Sequence, residues 1–365
     1  MNRMKPVCLL LCLFICCQSP VNSCTTFFIN KNGELVFGRN YDWVTDAGMV
    51  CTNLRGLFKT SMPVKTGNTI SWTSLHGSIS FNQYGKEFPT GGMNEKGLVV
   101  ELMWLDDTRY PKPDDRPALG VLQWIQYQLD NCATVEELIA TDKKLRIAAD
   151  GTAPLHYLVA DAGGQVATIE FLKGKMVVHT GNDLPFPVLT NNRYDESIQK
   201  TEPATKPYLE QVNYGNNSLD RFARACKMVN RFTQTETDVP IVDYAFGILD
   251  KVAQGSYTRW SIVYDLAHKK IHFKTNRFPS VKSLSFSSFD LGCTAKAKAM
   301  DMNLAGSGDI SQYLPVFSSD LNQKIVEKAF AESNDQVHAS PDTQKAAWQY
   351  AADIQCQVGN NRNFP

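Results

Sequence analysis

The chain has 365 residues, of which 43% are hydrophobic and 20% charged, as is typical of a globular protein with a large buried core. Lysine plus arginine and aspartate plus glutamate both total 37, so the formal net charge is zero. Without excess positive charge the chain has no field that would attract nucleic acid or anionic lipid, and nucleic acid is excluded as an expected partner.

Residues 1–23 have the composition of a secretory signal peptide. Two basic residues precede an apolar run from Val7 to Cys17, and a proline follows. The run covers about 11 residues, well below the roughly 20 that a membrane-spanning helix needs. The compact side chains of Val21 and Ser23 predict cleavage after Ser23. We therefore expect an exported protein, periplasmic or secreted, without a membrane span, whose mature chain begins at Cys24.

The first segment of this mature chain is predicted to be a β-hairpin, because Asn32-Gly33 is typical of a two-residue turn between strands. The two flanking strands, rich in β-branched and aromatic residues, are Thr25–Asn30 and Glu34–Phe37. This turn pairs residues whose numbers sum to 65. Cys24 is then expected opposite Tyr41 and close to Arg39 and Asp42.

Further strands and helices alternate in groups along the rest of the chain. The predicted strands are Thr69–Ile79, Gly97–Leu105 after a turn at Gly92–Gly97, Leu155–Ala160, Val166–Phe171, Met176–His179, Val188–Thr190, Trp260–Tyr264 and Lys270–Lys274. The predicted helices are Leu119–Leu129, one opened by a capping box at Thr134–Glu137, one from a cap at Ser218 or Asp220 to Arg231, Val242–Ala253, and two in the tail, the last capped by Ser340.

This order indicates an α+β fold in which antiparallel sheets are stacked between helices, because hairpins rather than strand-helix-strand units dominate. We expect one four-layer αββα domain over residues 24–365. A helical tail is expected from about residue 306.

Six cysteines remain after cleavage: Cys24, Cys51, Cys132, Cys226, Cys293 and Cys356. They are too few for a disulfide scaffold; an exported protein can form one or two bridges, but the sequence does not decide whether any forms. The close histidine pair, His268 and His272, lacks a glutamate and falls in a predicted hairpin, where four residues span about 13 Å. No metal site and no cofactor are therefore predicted.

An N-terminal cysteine carries both a nucleophile and a base. The α-amine has a pKa of about 7.7 to 8.0, so near neutral pH much of it is free to accept the thiol proton. Arg39 is expected to lower the thiol pKa by its charge, and Asp42 to accept hydrogen bonds from the α-ammonium. The sequence thus predicts an amide-cleaving hydrolase activated by signal removal.

Five sequence blocks resemble those of the choloylglycine hydrolase family, which contains bile salt hydrolases and penicillin V acylases with an N-terminal-nucleophile fold. The blocks are Cys24-Thr25, Gly38–Trp43, Gly92–Leu98, Leu189–Asn191 and Asp220–Phe222, in the family's order. The resemblance implies Cys24 as nucleophile and Arg39 and Asp42 in the catalytic centre. It also implies Asn191 as an oxyanion donor, Arg221 as a brace of the nucleophile, an αββα fold and frequent tetramers.

One departure from the bile salt hydrolases bears on the substrate. Trp104 stands where Gram-positive bile salt hydrolases carry an oxyanion-hole asparagine, and together with Trp43 it resembles the tryptophan pair of the Gram-negative penicillin V acylase branch. Two aromatic walls favour an apolar acyl group. The expected partner is a small N-acyl amide such as penicillin V or an N-acyl homoserine lactone. Bile salt hydrolysis is the alternative within the enzyme class.

Two further alternatives remain open at the level of sequence. A cysteine directly after a signal can be lipidated, which would block both thiol and amine and leave a ligand-binding surface protein. A papain-like arrangement of Cys24, His156 and Asn191 has a suitable spacing but lacks that family's local signature.

Overall fold

The computed structural model describes residues 24–149, 153–201 and 215–356, so the expected signal peptide, residues 1–23, lies outside it. The strands of the described residues are β1 Thr25–Lys31, β2 Glu34–Asp42, β3 Met49–Asn53, β4 Leu57–Thr60, β5 Ser71–Thr73, β6 Ser78–Asn82, β7 Pro89–Asn94, β8 Val99–Trp104, β9 Ala118–Leu119, β10 Arg146–Ile147, β11 Leu155–Ala160, β12 Val166–Leu172, β13 Lys175–Thr180, β14 Val188–Leu189, β15 Thr258–Asp265, β16 Lys270–Thr275, β17 Lys282–Ser285, β18 Ala299–Asp301, β19 Gly308–Asp309 and β20 Gln355–Cys356. The α-helices are α1 Val121–Asn131, α2 Val135–Ala140, α3 Tyr194–Thr201, α4 Ser218–Gln234, α5 Ile241–Lys251, α6 Ser319–Glu332 and α7 Pro341–Gln349.

Two large sheets form the centre of the molecule. The seven-stranded sheet has the order β14-β1-β2-β15-β16-β17-β19, and the eight-stranded sheet has the order β13-β12-β11-β8-β7-β6-β3-β18. All neighbouring strands are antiparallel except the β17–β19 pair. A small third sheet, β20-β4-β5, joins the end of the described chain to an early hairpin.

The sheets pack face to face and helices cover their outer faces. Phe81 of β6 meets Tyr264 of β15 and Phe273 of β16, with ring centroids 6.1 and 5.5 Å apart. Helices α4 and α5 pack on β1 and β2, while α1 packs on β7 and β8 and α6 on β18. Strand β2 is buried along almost its whole length because both of its faces are covered. The predicted αββα sandwich is confirmed.

The first hairpin has the predicted register. Thr25 pairs with Asn40 and Lys31 with Glu34, so paired numbers sum to 65, and both turn residues have positive φ, 53° at Asn32 and 86° at Gly33. Asparagine and glycine tolerate this left-handed region, which a two-residue hairpin turn needs. The register places Arg39 and Asp42 at the same end of the hairpin as Cys24.

Other sequence-based boundaries differ from the structure. The single strand predicted over Thr69–Ile79 is two strands, β5 and β6, in different sheets. The segment predicted as a turn at Gly92 begins within strand β7. Helix α4 is capped by the side chain of Asn217, which accepts from the Asp220 backbone N–H. Helix α3 was not predicted. Its mean hydropathy is low, and it is stabilised by packing on α4.

The tail also begins differently from the prediction. Strand β19 first extends the seven-stranded sheet, and the helical part starts at α6. As predicted, Ser340 caps α7 and Pro341 occupies its first turn. A disulfide joins Cys293 to Cys356. None of the helices in the described ranges combines the length and the apolar character needed for a membrane crossing.

Candidate active site

Cys24 lies directly before β1 and is buried, with 4% of its surface exposed. Its Sγ is 3.8 Å from Nη2 of Arg39 and 3.8 Å from the backbone oxygen of Asp42. Both neighbours belong to β2, and the hairpin turn therefore brings together three of the predicted site residues. No histidine among the described residues hydrogen-bonds to the thiol.

The thiol is not acidified by this environment. Burial raises the pKa of Cys24 above its ordinary value, and the opposing charge of Arg39 does not compensate. Arg39 lowers the thiol pKa, as expected, but the net pKa is raised because desolvation of a buried thiolate outweighs one nearby positive charge. The sulfur therefore needs a base to accept its proton.

Arg39 connects the two sheets. Its guanidinium forms an ion pair with Glu101 of β8, and Nη1 donates to the Thr90 backbone oxygen at 2.9 Å. Glu101 also accepts a hydrogen bond from the Tyr264 hydroxyl, and all three side chains are fully buried. Sequence reasoning missed Glu101. A carboxylate within the apolar strand Val-Val-Glu-Leu-Met-Trp was the available signal, since a buried charge requires a partner.

Asp42 ends β2 with its carboxylate fully buried. One oxygen, Oδ1, accepts a hydrogen bond from the Thr258 hydroxyl, whereas Oδ2 has no hydrogen-bond partner among the described residues. Burial raises the pKa of Asp42 to about 7, and the charge of Arg221 opposes the rise. A buried carboxylate with one unsatisfied oxygen can accept one further donor.

Arg221 reaches the nucleophile from α4. Its Nη1 donates to the Cys24 backbone oxygen at 2.7 Å and to the Thr25 hydroxyl at 2.6 Å, and its Nη2 donates to Oδ1 of Asn191 at 3.1 Å. The Asn191 Nδ2 donates in turn to the Trp104 backbone oxygen at 2.9 Å. The side-chain amide nitrogen of Asn191 carries two hydrogens. The hydrogen bond to Trp104 uses one of them, and the second can donate to another acceptor.

A cavity of about 330 Å³ opens beside Cys24. Trp43 and Trp104, the predicted binding residues, both line it, and their ring centroids are 6.0 Å apart. Most of the other lining residues are apolar. They include Met62, Pro63, Val64, Phe88, Leu102, Val121, Leu122, Leu155 and Phe330. The structure thus brings all seven sequence-predicted site residues together around Cys24 and its cavity.

His156, the base of the papain-like alternative, is a buried residue with a partner at each ring nitrogen. Nε2 lies 2.7 Å from the Thr190 backbone oxygen, and Nδ1 lies 3.2 Å from Oε1 of Glu170. It does not line the cavity. His338 does line the cavity, but it lies exposed on the segment between α6 and α7. The described residues contain no group of three or more histidine, cysteine or acidic side chains able to hold a metal ion.

Comparison with known proteins gives consistent results. The model of the linear amide C–N hydrolases, choloylglycine hydrolase family, matches residues 24–299. A penicillin V acylase of Pectobacterium atrosepticum is 31% identical over 215 residues, which cover 52% of this chain and 54% of that relative, so the chain spans about half the length of the curated relative that it matches.

Two solved structures have the same fold. The penicillin V acylase from Agrobacterium tumefaciens superposes with a TM-score of 0.72 at 28% identity, over 80% of this chain and 98% of that one. A variant of the conjugated bile acid hydrolase from Clostridium perfringens superposes with a TM-score of 0.66 at 18% identity, over 78% and 99%; at that identity the likeness concerns the fold alone. With a family model matched over most of its length and the family's fold, the chain belongs to the choloylglycine hydrolase family of linear amide C–N hydrolases.

Proposed function

We propose that the mature chain, beginning at Cys24, hydrolyses the linear amide bond of small N-acyl compounds with an apolar acyl group. The observation that carries the proposal is the Cys24 thiol, which is buried beside an arginine and a carboxylate and lines an apolar cavity. The relatives named penicillin V acylase support penicillin V as the first substrate to test.

Cleavage after Ser23 supplies the base that the thiol lacks. The released α-amine takes the thiol proton, the sulfur attacks the amide carbonyl, the amine product leaves with that proton, and water then hydrolyses the thioester. Oδ2 of Asp42, which has no other partner in the described structure, is the acceptor for the α-ammonium. A carboxylate there holds the amine in position.

The charge on the tetrahedral oxygen requires donors. Asn191 supplies its second Nδ2 hydrogen, and Arg221 fixes the amide by binding its oxygen while it also holds the Cys24 carbonyl. Loss of one oxyanion donor typically costs about 10²- to 10³-fold in kcat. Asn191→Ala is therefore expected to lower kcat by about that factor with the fold intact.

The acyl group occupies the cavity lined by Trp43 and Trp104. Each Å² of apolar surface that leaves water contributes about 25 cal/mol, so a wall of aromatic and aliphatic side chains favours phenoxyacetyl or aliphatic acyl groups. Export places the enzyme outside the cytoplasm, where N-acyl homoserine lactones are a further substrate class to test.

The test compares three proteins: the chain beginning at Cys24, the chain retaining Ser23, and Cys24→Ala. Each is assayed with penicillin V, glycine- and taurine-conjugated bile acids, and acyl homoserine lactones. We expect turnover by the first protein alone. Cys51→Ala provides the matched control, because this free cysteine is equally buried and lies outside the cavity.

Equal turnover by the chain that retains Ser23 would overturn the role of the α-amine. A preference for conjugated bile acids over every other substrate would replace the acylase by a bile salt hydrolase. An exported form whose N-terminus is acylated or begins elsewhere, detected by intact mass, would end the proposal.

A further inference from the structure

The C-terminal tail, defined here as residues 306–356, lies beyond the residues matched by the family model, which end at 299. It contains β19, α6, α7 and β20. The tail forms one wall of the cavity beside Cys24. Its lining residues are Phe330, Val337, His338, Ala339, Thr343 and Ala347. Trp43 and Trp104 line the same cavity.

The tail also holds one of these tryptophans in place. Trp43 Nε1 donates to the Tyr84 hydroxyl at 2.9 Å, and that hydroxyl donates to Ser333 Oγ, just after α6, at 3.0 Å. The Phe330 ring packs on Tyr84 with centroids 4.8 Å apart. The position of Phe330 in the cavity wall and the orientation of Trp43 therefore both depend on α6.

Helix α6 is fixed to the chain segment that follows β2. Lys328 forms an ion pair with Asp46 at 2.8 Å, and Glu332 accepts a hydrogen bond from the Thr45 hydroxyl. Thr45 and Asp46 come three and four positions after Asp42 in the chain. The tail is thus bonded to the same loop that extends from the catalytic centre.

The end of the tail is anchored at several separate points. The fully buried Asn322 accepts from the Lys86 backbone N–H at 2.9 Å and donates to the Trp348 backbone oxygen at 2.8 Å. Tyr350 donates to the Thr60 backbone oxygen at 2.8 Å, and a disulfide holds Cys356. A wall fixed by covalent and hydrogen bonds has a set shape, so it limits what fits beside it.

We propose that the C-terminal tail determines the length of acyl chain that the enzyme accepts, with Val337 as the specificity-determining residue of its wall. This inference rests on the proposed acyl-amide hydrolysis. Val337 lies between α6 and α7, is half-buried and packs against the core, while its position borders the cavity. A cavity of about 330 Å³ is small for a ligand site, whose usual range is about 300–1,000 Å³, so one added ring occupies a substantial share of it.

The test measures kcat/KM for N-acyl derivatives of one amine with short, medium and long straight acyl chains. Val337→Phe is expected to lower the value for the longest chain about tenfold or more relative to the shortest, since single methylene differences in a pocket change rates about 10- to 200-fold. Val337→Ala is expected to shift the preference towards longer acyl chains. This variant tests the proposal if the larger side chain of Val337→Phe prevents folding.

Val316→Phe is the matched control, because it is the same exchange in the same tail at a residue that is 48% exposed and outside the cavity. It should keep the wild-type length profile. If both Val337 variants keep the wild-type dependence of kcat/KM on chain length while the wild type is active, the role of the tail is overturned and the proposed function stands. Absence of turnover by wild type at every chain length overturns the proposed function and this inference together.

Discussion

Removal of the disulfide between Cys293 and Cys356 should weaken the protein measurably. The two cysteines are 63 positions apart, and closing a loop of that length restricts the unfolded chain by an entropy equivalent to about 4 kcal/mol at 25 °C. Domains of ordinary stability unfold with about 5–15 kcal/mol. The loss of this bond therefore removes a substantial fraction of the total free energy of unfolding.

Cys293→Ser combined with Cys356→Ser is the suitable variant, since both side chains are only half-buried and the exchange changes their volume little. Urea unfolding followed by tryptophan fluorescence gives the free energy of unfolding. We expect a decrease of about 2–4 kcal/mol. Limited proteolysis should then release the end of the tail, where β20 pairs with β4.

Reductant provides the internal control. It should lower the stability of the wild type to that of the double variant and leave the variant unchanged. A difference below about 1 kcal/mol between the oxidised wild type and the variant would refute the loop-entropy reasoning, because the cross-link would then not restrict the unfolded chain by the calculated amount.

Three other outcomes are expected. Burial raises the pKa of Asp42 and the hydrogen bond from Thr258 lowers it, so Thr258→Val should raise this pKa and move the acid-side fall of kcat/KM to higher pH; a pH–rate profile that is identical in the variant contradicts the role of the ionised carboxylate. His156→Ala should cost about 1–3 kcal/mol of stability, measured by urea unfolding, because the buried carboxylate of Glu170 loses the His156 hydrogen bond and, among the described residues, keeps only the one from the Tyr194 backbone N–H, while turnover per folded molecule is kept; a loss of turnover as large as that of the nucleophile variant would revive the papain-like mechanism. Gly85→Ala should destabilise by about 1–3 kcal/mol in thermal unfolding, since φ is +118° and the new Cβ would lie 2.8 Å from a backbone oxygen of α7; Gly174→Ala, at positive φ but with no atom closer than 3.8 Å, is the comparison, and an equal effect of both would show that backbone strain alone is responsible.

The amino-acid sequence alone was sufficient for features that depend on neighbouring residues. The Asn32-Gly33 turn fixed the hairpin register, because few residues adopt positive φ and only one pairing follows from a two-residue turn. The same local logic placed Arg39 and Asp42 beside Cys24. The caps at Thr134 and Ser340 likewise depend on side chains that bond to N–H groups three positions away.

The tertiary structure decided the contacts between segments distant along the chain. Arg221 binds the Cys24 carbonyl from 197 positions away, a pair that sequence reasoning obtained only through the family resemblance. Glu101 was missed, and so was the net rise of the Cys24 pKa, because both depend on how completely the stacked sheets exclude water.

The contacts of the C-terminal tail are also contacts between segments distant along the chain, which only the tertiary structure decided. Two tail helices were predicted, the last from its Ser340 cap, but the place of α6 and α7 against Tyr84 and the cavity follows from packing, which the spacing of residues within a helix does not encode. Local backbone preferences are specified by a few adjacent residues, whereas burial, charge pairing and cavity shape are properties of the assembled layers.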